Sequence, residues 1–153
     1  MNQNQMAFRC PDAKPLEAVR LEGYRLAFCG CGEWGVATIL PEDGSCVEGV
    51  LWQISARDEK FLDRYEGDPH LYEKKPVTLR RGEGETCQAM AYVMTSPSRD
   101  VPARPSPDYL MGILVGCRQN KIDPQPVMEA VREAARAQVL TRPQPGKRRG
   151  RER

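Results

Sequence analysis

Three extended segments stand ahead of the first well-marked helix, and the shortness of the links between them restricts the fold more than any other feature. Ala18 to Phe28 carries Val19, Leu21, Tyr24, Leu26 and Phe28, is interrupted by Glu22-Gly23, and alternates cleanly in its second half. Val36 to Leu40 follows a glycine-rich loop around Glu33 and Trp34, and ends at Pro41-Glu42-Asp43-Gly44, a strong turn signal. Val47 to Ile54 is the most apolar of the three, which places it at the centre of a sheet. Two more strands are expected further on. Tyr72 to Leu79 and Thr86 to Met94 are joined across the polar hairpin loop Arg80 to Glu85. In the second of these, Cys87, Ala89, Ala91 and Val93 alternate with Gln88, Met90, Tyr92 and Met94, and either set could face the core.

The helices carry start signals. Met1 to Arg9 can form a short one, with Met6 and Phe8 as its apolar contacts, before Cys10-Pro11 breaks it. Ser55-x-x-Asp58 is a weaker relative of the capping box and opens a helix that ends at Gly67. After a Pro/Ser/Arg-rich loop from Thr95 to Pro105, Ser106-Pro107-Asp108 supplies an N-cap, a proline at the first helical position and an acid in the first turn. Tyr109, Leu110, Ile113, Leu114 and Cys117 make that helix's apolar stripe, and Asn120 to Pro124 ends it. Pro126 to Leu140 is a further, Ala- and charge-rich helix. The order β-β-β-α-β-β-α-α with hairpin-length strand connections argues for an α+β fold, not a doubly wound parallel sheet.

At 153 residues the chain has room for one domain with a real core. The expected divisions are a domain over residues 1–123, a helical extension over 124–140 and a basic, disordered tail over 141–153. In that tail Arg142, Lys147, Arg148, Arg149, Arg151 and Arg153 stand against Glu152 alone. This local charge of +5 leaves −3 for the rest of a chain whose net charge is +2. No aromatics are interleaved with the basic residues, so nucleic acid is a disfavoured partner. No apolar run reaches bilayer length and the first residues lack a leader pattern, so no membrane association and a cytoplasmic location are expected.

Several chemistries are set aside. The six cysteines contain no Cys-x-x-Cys pair and His70 is the single histidine, so the usual structural zinc patterns cannot be assembled. Cys29-Gly30-Cys31 is the nearest approach to a metal or redox pair, against the commoner case of reduced, small buried hydrophobes. One histidine, next to Pro69 in a surface loop, leaves little room for a Ser-His-Asp or Cys-His mechanism. Neither a dinucleotide fingerprint at a strand–helix junction nor a phosphate loop occurs, so nucleotide cofactors are disfavoured.

Leu62-Asp63-Arg64-Tyr65-Glu66-Gly67 is different. Leu62 and Glu66 stand four apart on one helix face, and Phe61 and Tyr65 with Leu62 mark that face as apolar. Glu66 also sits at a helix C-terminus, where the macrodipole disfavours negative charge. Both effects raise a carboxyl pKa, which suits a group that takes and returns a proton near neutrality. The plainer alternative is a helix-ending glutamate pointing into water.

Arg9-Cys10-Pro11-Asp12-Ala13, Leu21 to Phe28, Val47 to Trp52, Leu62 to Gly67 and Pro105-Ser106-Pro107-Asp108-Tyr109-Leu110 fall in the order found in γ-glutamylcyclotransferase-like proteins. From about Met1 to Asn120 the chain resembles that family. The resemblance implies a mixed, barrel-like β-sheet with packed helices, and a cofactor-independent enzyme that needs no metal. Its small-molecule substrate would be a γ-glutamyl amide, cleaved internally to 5-oxoproline plus a free amine or amino acid. It implies Glu66 as the general acid/base and Tyr72 and Tyr109 as substrate-binding residues; the alternative for both is a core or rim tyrosine with a satisfied hydroxyl. Family members usually begin with a strand ending in Tyr-Gly-Ser-Asn, which helps hold the glutamyl part. Here Met1 to Met6 matches the segment just after it. Two expectations follow: an active cyclotransferase, or a non-catalytic binding or interaction protein that keeps the fold with an incomplete pocket. Whether two copies pair as a homodimer stays open.

Overall fold

The structure is a computed structural model that describes residues 2–66, 71–82 and 84–141. The expected basic tail beyond residue 141, Gly67 as helix terminator and the loop placement of His70 lie outside the described residues. The element order is α1 (Gln3–Arg9), β1 (Lys14–Cys29), β2 (Val36–Gln53), α2 (Ala56–Tyr65), β3 (Tyr72–Arg81), β4 (Glu85–Met94), α3 (Pro107–Gln119) and α4 (Gln125–Thr141). A short 3-10 turn, Ser98–Asp100, interrupts the loop ahead of α3.

The first three expected strands are in fact two. The segment at Pro41–Gly44 does not end a strand; β2 runs through it. Glu22 pairs with Cys46 and Tyr24 with Pro41, so residues 42–45 bulge out opposite the single residue Gly23. Gly23 and Gly44 absorb the mismatch at φ +81° and +82°, a region costly for any residue with a Cβ. The turn signal was real, but a bulge consumed it.

The four strands lie in the order β2-β1-β3-β4 and their ladders are antiparallel, with an isolated parallel bridge between Gly35 and Pro105. The segment Val47 to Ile54, expected at the centre, therefore lies on an edge strand. Its apolar character comes from facing a cavity and core, not from neighbours on both sides. The β1–β3 junction is narrow, recorded by the single pair Arg20–Arg80. Arg80 reaches Glu22 at 3.2 Å, which offsets the two opposed cations. Beyond the junction the sheet curls so that its outer edges approach each other: the Met94 amide of β4 donates to Thr38 Oγ1 of β2 at 3.0 Å.

Consecutive residues of β1 serve opposite sheet faces, as the two-residue period requires. Phe28, with Leu26 beside it, packs against α3 and α4 in a core of Cys117, Ile122, Val127, Ala130 and Ala134. Ala27 and Cys29 join Tyr72 and Met94 in a second cluster. A third holds Val19, Leu21, Val77 and Leu79, against which Cys87, Ala89 and Ala91 of β4 pack, so the set of smaller residues in that strand turns inward over its first half. The helix over 125–141 thus shares its core with β1.

The helix ends follow their signals. Asn2 caps α1, its Oδ1 accepting from the amides of Asn4 and Gln5 at 3.0 and 3.1 Å. Its amide nitrogen donates to the Gly112 carbonyl of α3 at 3.2 Å. Met6 turns toward a cavity, but Phe8 is 88% exposed and supplies no core contact. The Ser55–Asp58 capping box forms, with Ser55 Oγ accepting from the Asp58 amide at 3.1 Å. Ser106 Oγ accepts from the Tyr109 amide at 3.2 Å and starts α3.

Candidate active site

The hollow side of the curled sheet, with α1 and α2 at one end, forms a half-open cavity of about 630 Å³. Apolar side chains form most of its wall, with Glu66, Arg9, Thr38, Trp52 and Gln88 among the polar ones. Glu66 is the C-terminal cap of α2, its amide bonded to the Leu62 carbonyl at 2.8 Å. Leu62 is buried beside it and both face the cavity. The remainder of the expected apolar face differs. Phe61 and Tyr65 are about half exposed, because the helix buries a narrower stripe than its sequence offers.

Burial pushes the Glu66 carboxyl up from its ordinary value of 4.5, and the nearby Arg9 charge opposes only part of that shift. Among the described residues nothing hydrogen-bonds or ion-pairs with this carboxyl, so its oxygens are open to a ligand. The helix that carries it is anchored to the sheet. Asp63, one turn earlier, accepts from the Tyr92 hydroxyl of β4 and lies 3.1 Å from Lys74 Nζ of β3, which also reaches Glu59 at the same distance. The Tyr92 hydroxyl, then Lys74, hold the Asp63 carboxyl below its usual range. This bracing is therefore complete above the ordinary carboxyl range and is lost only as pH falls below it, through the lowered folded value.

Tyr72 and Tyr109 come together on one residue of β2. The Tyr72 hydroxyl donates to the Ala37 carbonyl at 2.8 Å, and the Ala37 amide donates to the Tyr109 hydroxyl at 3.0 Å. Ala37 pairs with Phe28 on one side of an edge strand, so its other side would be open. The two hydroxyls close it. Tyr72 is buried, which pushes its phenol up, with Tyr109 and Glu66 adding to the effect. Tyr109 is a rim residue, 37% exposed, with its ring edge-on to Phe28 at 6.5 Å and its phenol also raised by burial. Tyr72→Phe is expected to cost about 1–3 kcal/mol in urea unfolding, because it leaves a part-buried carbonyl without its donor.

Both tyrosines feel the Glu66 charge, but neither lines its cavity, and Tyr109 lines a second one toward α3 and α4. Arg9 does line the Glu66 cavity: its guanidinium lies over the Tyr65 ring, 4.0 Å from the centroid, and its charge is felt at both Glu66 and Tyr109. Nothing in sequence spacing marks Arg9; only the docking of α1 against α2 brings it in. Trp52 was equally invisible. Among the described residues, no metal-binding group of His, Cys, Asp and Glu side chains forms. All six cysteines are free thiols, with Cys29 buried and its neighbour Cys31 exposed.

The model of the family "Gamma-glutamyl cyclotransferase, AIG2-like" matches residues 1–111. The chain belongs to this family. It is 32% identical over 120 residues to a γ-glutamylcyclotransferase of Bos taurus, a match covering 73% of this chain and 62% of the relative. It is 30% identical over 134 residues to one of Mus musculus, covering 81% and 68%. The chain thus spans roughly two thirds of the length of these family members. A solved structure titled "Gamma-glutamyl cyclotransferase" superposes with a TM-score of 0.70 at 24% identity, covering 96% of this chain and 84% of that one. This likeness shows the shared family fold. Among the described residues no helix is long and apolar enough to cross a membrane.

Proposed function

We propose that this protein is a cofactor-independent γ-glutamylcyclotransferase acting on small γ-glutamyl amides, with Glu66 as its general acid/base. The observation that carries this reading is the Glu66 carboxyl: half-buried at a helix end, raised in pKa, without a partner among the described residues and facing a cavity of about 630 Å³. The substrate's own α-amine attacks its γ-carbonyl. Glu66 takes a proton from that amine as the new C–N bond forms, then gives it to the departing nitrogen as the old C–N bond breaks. The products are 5-oxoproline and a free amine or amino acid. Because the nucleophile is tethered and closes a five-membered ring, no outside nucleophile or metal is required. Tyr72 and Tyr109 would act from beside the cavity, through Ala37, whose backbone they hold and which lines it. A cytoplasmic setting, where such thiols stay reduced, suits the free cysteines.

Incubating the full chain with γ-glutamyl dipeptides and γ-glutamyl amines should release 5-oxoproline; no release from either class would overturn the reading. One observation favours the alternative, a fold-keeping interaction protein: both tyrosine hydroxyls are already engaged by the Ala37 backbone. Binding of these compounds without turnover would be its signature.

A further inference from the structure

The second cavity, of about 490 Å³, lies between the bulge of β2 and the first half of α4, and takes part of its wall from α3. Its floor is apolar, with Ile113, Val127 and Ala130 among the side chains, while its rim is acidic. Glu42, Glu48, Asp123, Glu129 and Glu133 stand there against Arg25, a local charge of −4 among the described residues. Arg25 is already engaged, 3.6 Å from Glu42 and 3.4 Å from Glu133. Arg20 faces Glu48 across the β1–β2 ladder but donates to Cys46 Sγ at 3.3 Å. Among the described residues, no cation pairs with Glu48, Asp123 or Glu129.

The chain carries the complement of this groove just past α4. Lys147 to Arg153 holds five cations and Glu152, a local charge of +4. Pro143 and Pro145 ahead of it cannot continue a helix, and Pro145-Gly146 is a turn signal, so the sequence favours a reversal of direction there. The reach is sufficient. Glu133 and Glu129 stand about 12 and 18 Å back along α4 from Thr141, by the rise of an α-helix. The chain from Thr141 to Lys147 spans up to about 20 Å.

Lysine and arginine are apolar along their stems and charged at their tips. A groove with an apolar floor and a carboxylate rim accommodates both parts. Tethering also holds the segment near the groove at a concentration in about the millimolar range, so pairs that are individually weak and exposed are enough. We propose that Lys147 to Arg153 folds back along α4 and occupies this groove, its cations against Glu48, Asp123, Glu129 and Glu133. The run that composition marks as a free, solvated tail is then a part of the folded surface. This interaction is independent of the chemistry proposed at Glu66.

The test is carbodiimide cross-linking of the full chain, which joins an amine to a carboxylate already in contact with it. Lys147 is the single lysine of the segment, and peptide mapping identifies its partner. It should join Glu48, Asp123, Glu129 or Glu133. In a mixture of isotope-labelled and unlabelled protein, the links should form within one chain. The yield should fall severalfold as the Debye length shrinks from about 10 Å at 0.1 M salt to about 3 Å at 1 M. Glu129 is exposed and has no ion pair among the described residues, so Glu129→Lys should leave the fold intact. That variant should lower the yield at the other three carboxylates severalfold, and Arg148→Glu with Arg149→Glu in the same background should restore it. Should a variant fold poorly, the wild-type mapping and salt series still decide. Links spread over carboxylates elsewhere, links formed only between chains, or a yield indifferent to salt and to Glu129→Lys overturns the proposal.

Discussion

Glu66→Gln is expected to lower 5-oxoproline release by roughly 10²–10⁴-fold, the usual worth of a positioned general acid/base. Glutamine keeps the size and hydrogen-bonding reach of the side chain, so substrate binding should change far less than turnover. Residual activity would come from the tethered amine alone. The wild-type rate should also fall on the acid side, as Glu66 becomes protonated, with a midpoint above the ordinary carboxyl value of 4.5, and the glutamine variant should lose that limb. Stability should move the other way. A carboxyl whose folded pKa is raised favours the folded state most below its unfolded pKa, and loses that contribution as pH rises through the folded one. Above that point the ionised group is a cost to the fold, which glutamine removes. Thermal unfolding of Glu66→Gln should therefore occur at a higher temperature than wild type at pH 7, with the difference vanishing in acid. Full turnover in the variant would end the assignment.

Gly35→Ala is expected to be strongly destabilising. A Cβ at this position would lie 1.8 Å from the Ala103 carbonyl oxygen and 2.6 Å from its carbon. Both belong to backbone, which cannot rotate aside like a side chain. Gly35 is where the glycine loop crosses the strap leading into α3: its amide donates to the Arg104 carbonyl at 2.8 Å, and the Ala103 amide donates to the Phe28 carbonyl at 3.0 Å. Separating these segments would pull on Phe28, which is buried against α3 and α4. The cost should be at least about 3 kcal/mol, the upper end for overpacking. For a domain of this size that is roughly 6–12 °C in melting temperature, readable by calorimetry. Gly32→Ala is the control, since nothing lies within 4 Å of a Cβ there.

Local chemistry was legible wherever a few neighbouring residues decide the outcome. The Ser55–Asp58 box, the Ser106-Pro107 start of α3 and the shared face of Leu62 and Glu66 all formed as their spacing requires. What failed depended on partners distant in the chain. Pro41–Gly44 has the composition of a hairpin turn, and only the pairing of Tyr24 with Pro41 and Glu22 with Cys46 turns it into a bulge. Val47 to Ile54 has the apolar content of a central strand, yet a cavity wall on an edge strand demands the same residues. The acid proposed for the site, Glu66, could be singled out from one helix. The presence of Arg9 in the same cavity could not, because only the docking of α1 on α2 brings the two into charge range, and no periodicity carries that.

The clamp on Ala37 has a bearing on how this protein could be dissected. Tyr72 and Tyr109 grip the main chain of that residue, not its methyl group. A side-chain scan at position 37 would report how its methyl packs on the Phe28 core and miss this grip, since every residue but proline presents the same amide and carbonyl. Removing the amide hydrogen itself, with proline or a backbone ester, is what would expose the position. Some of the most constrained points of a small fold can be ones that side-chain substitution does not reach.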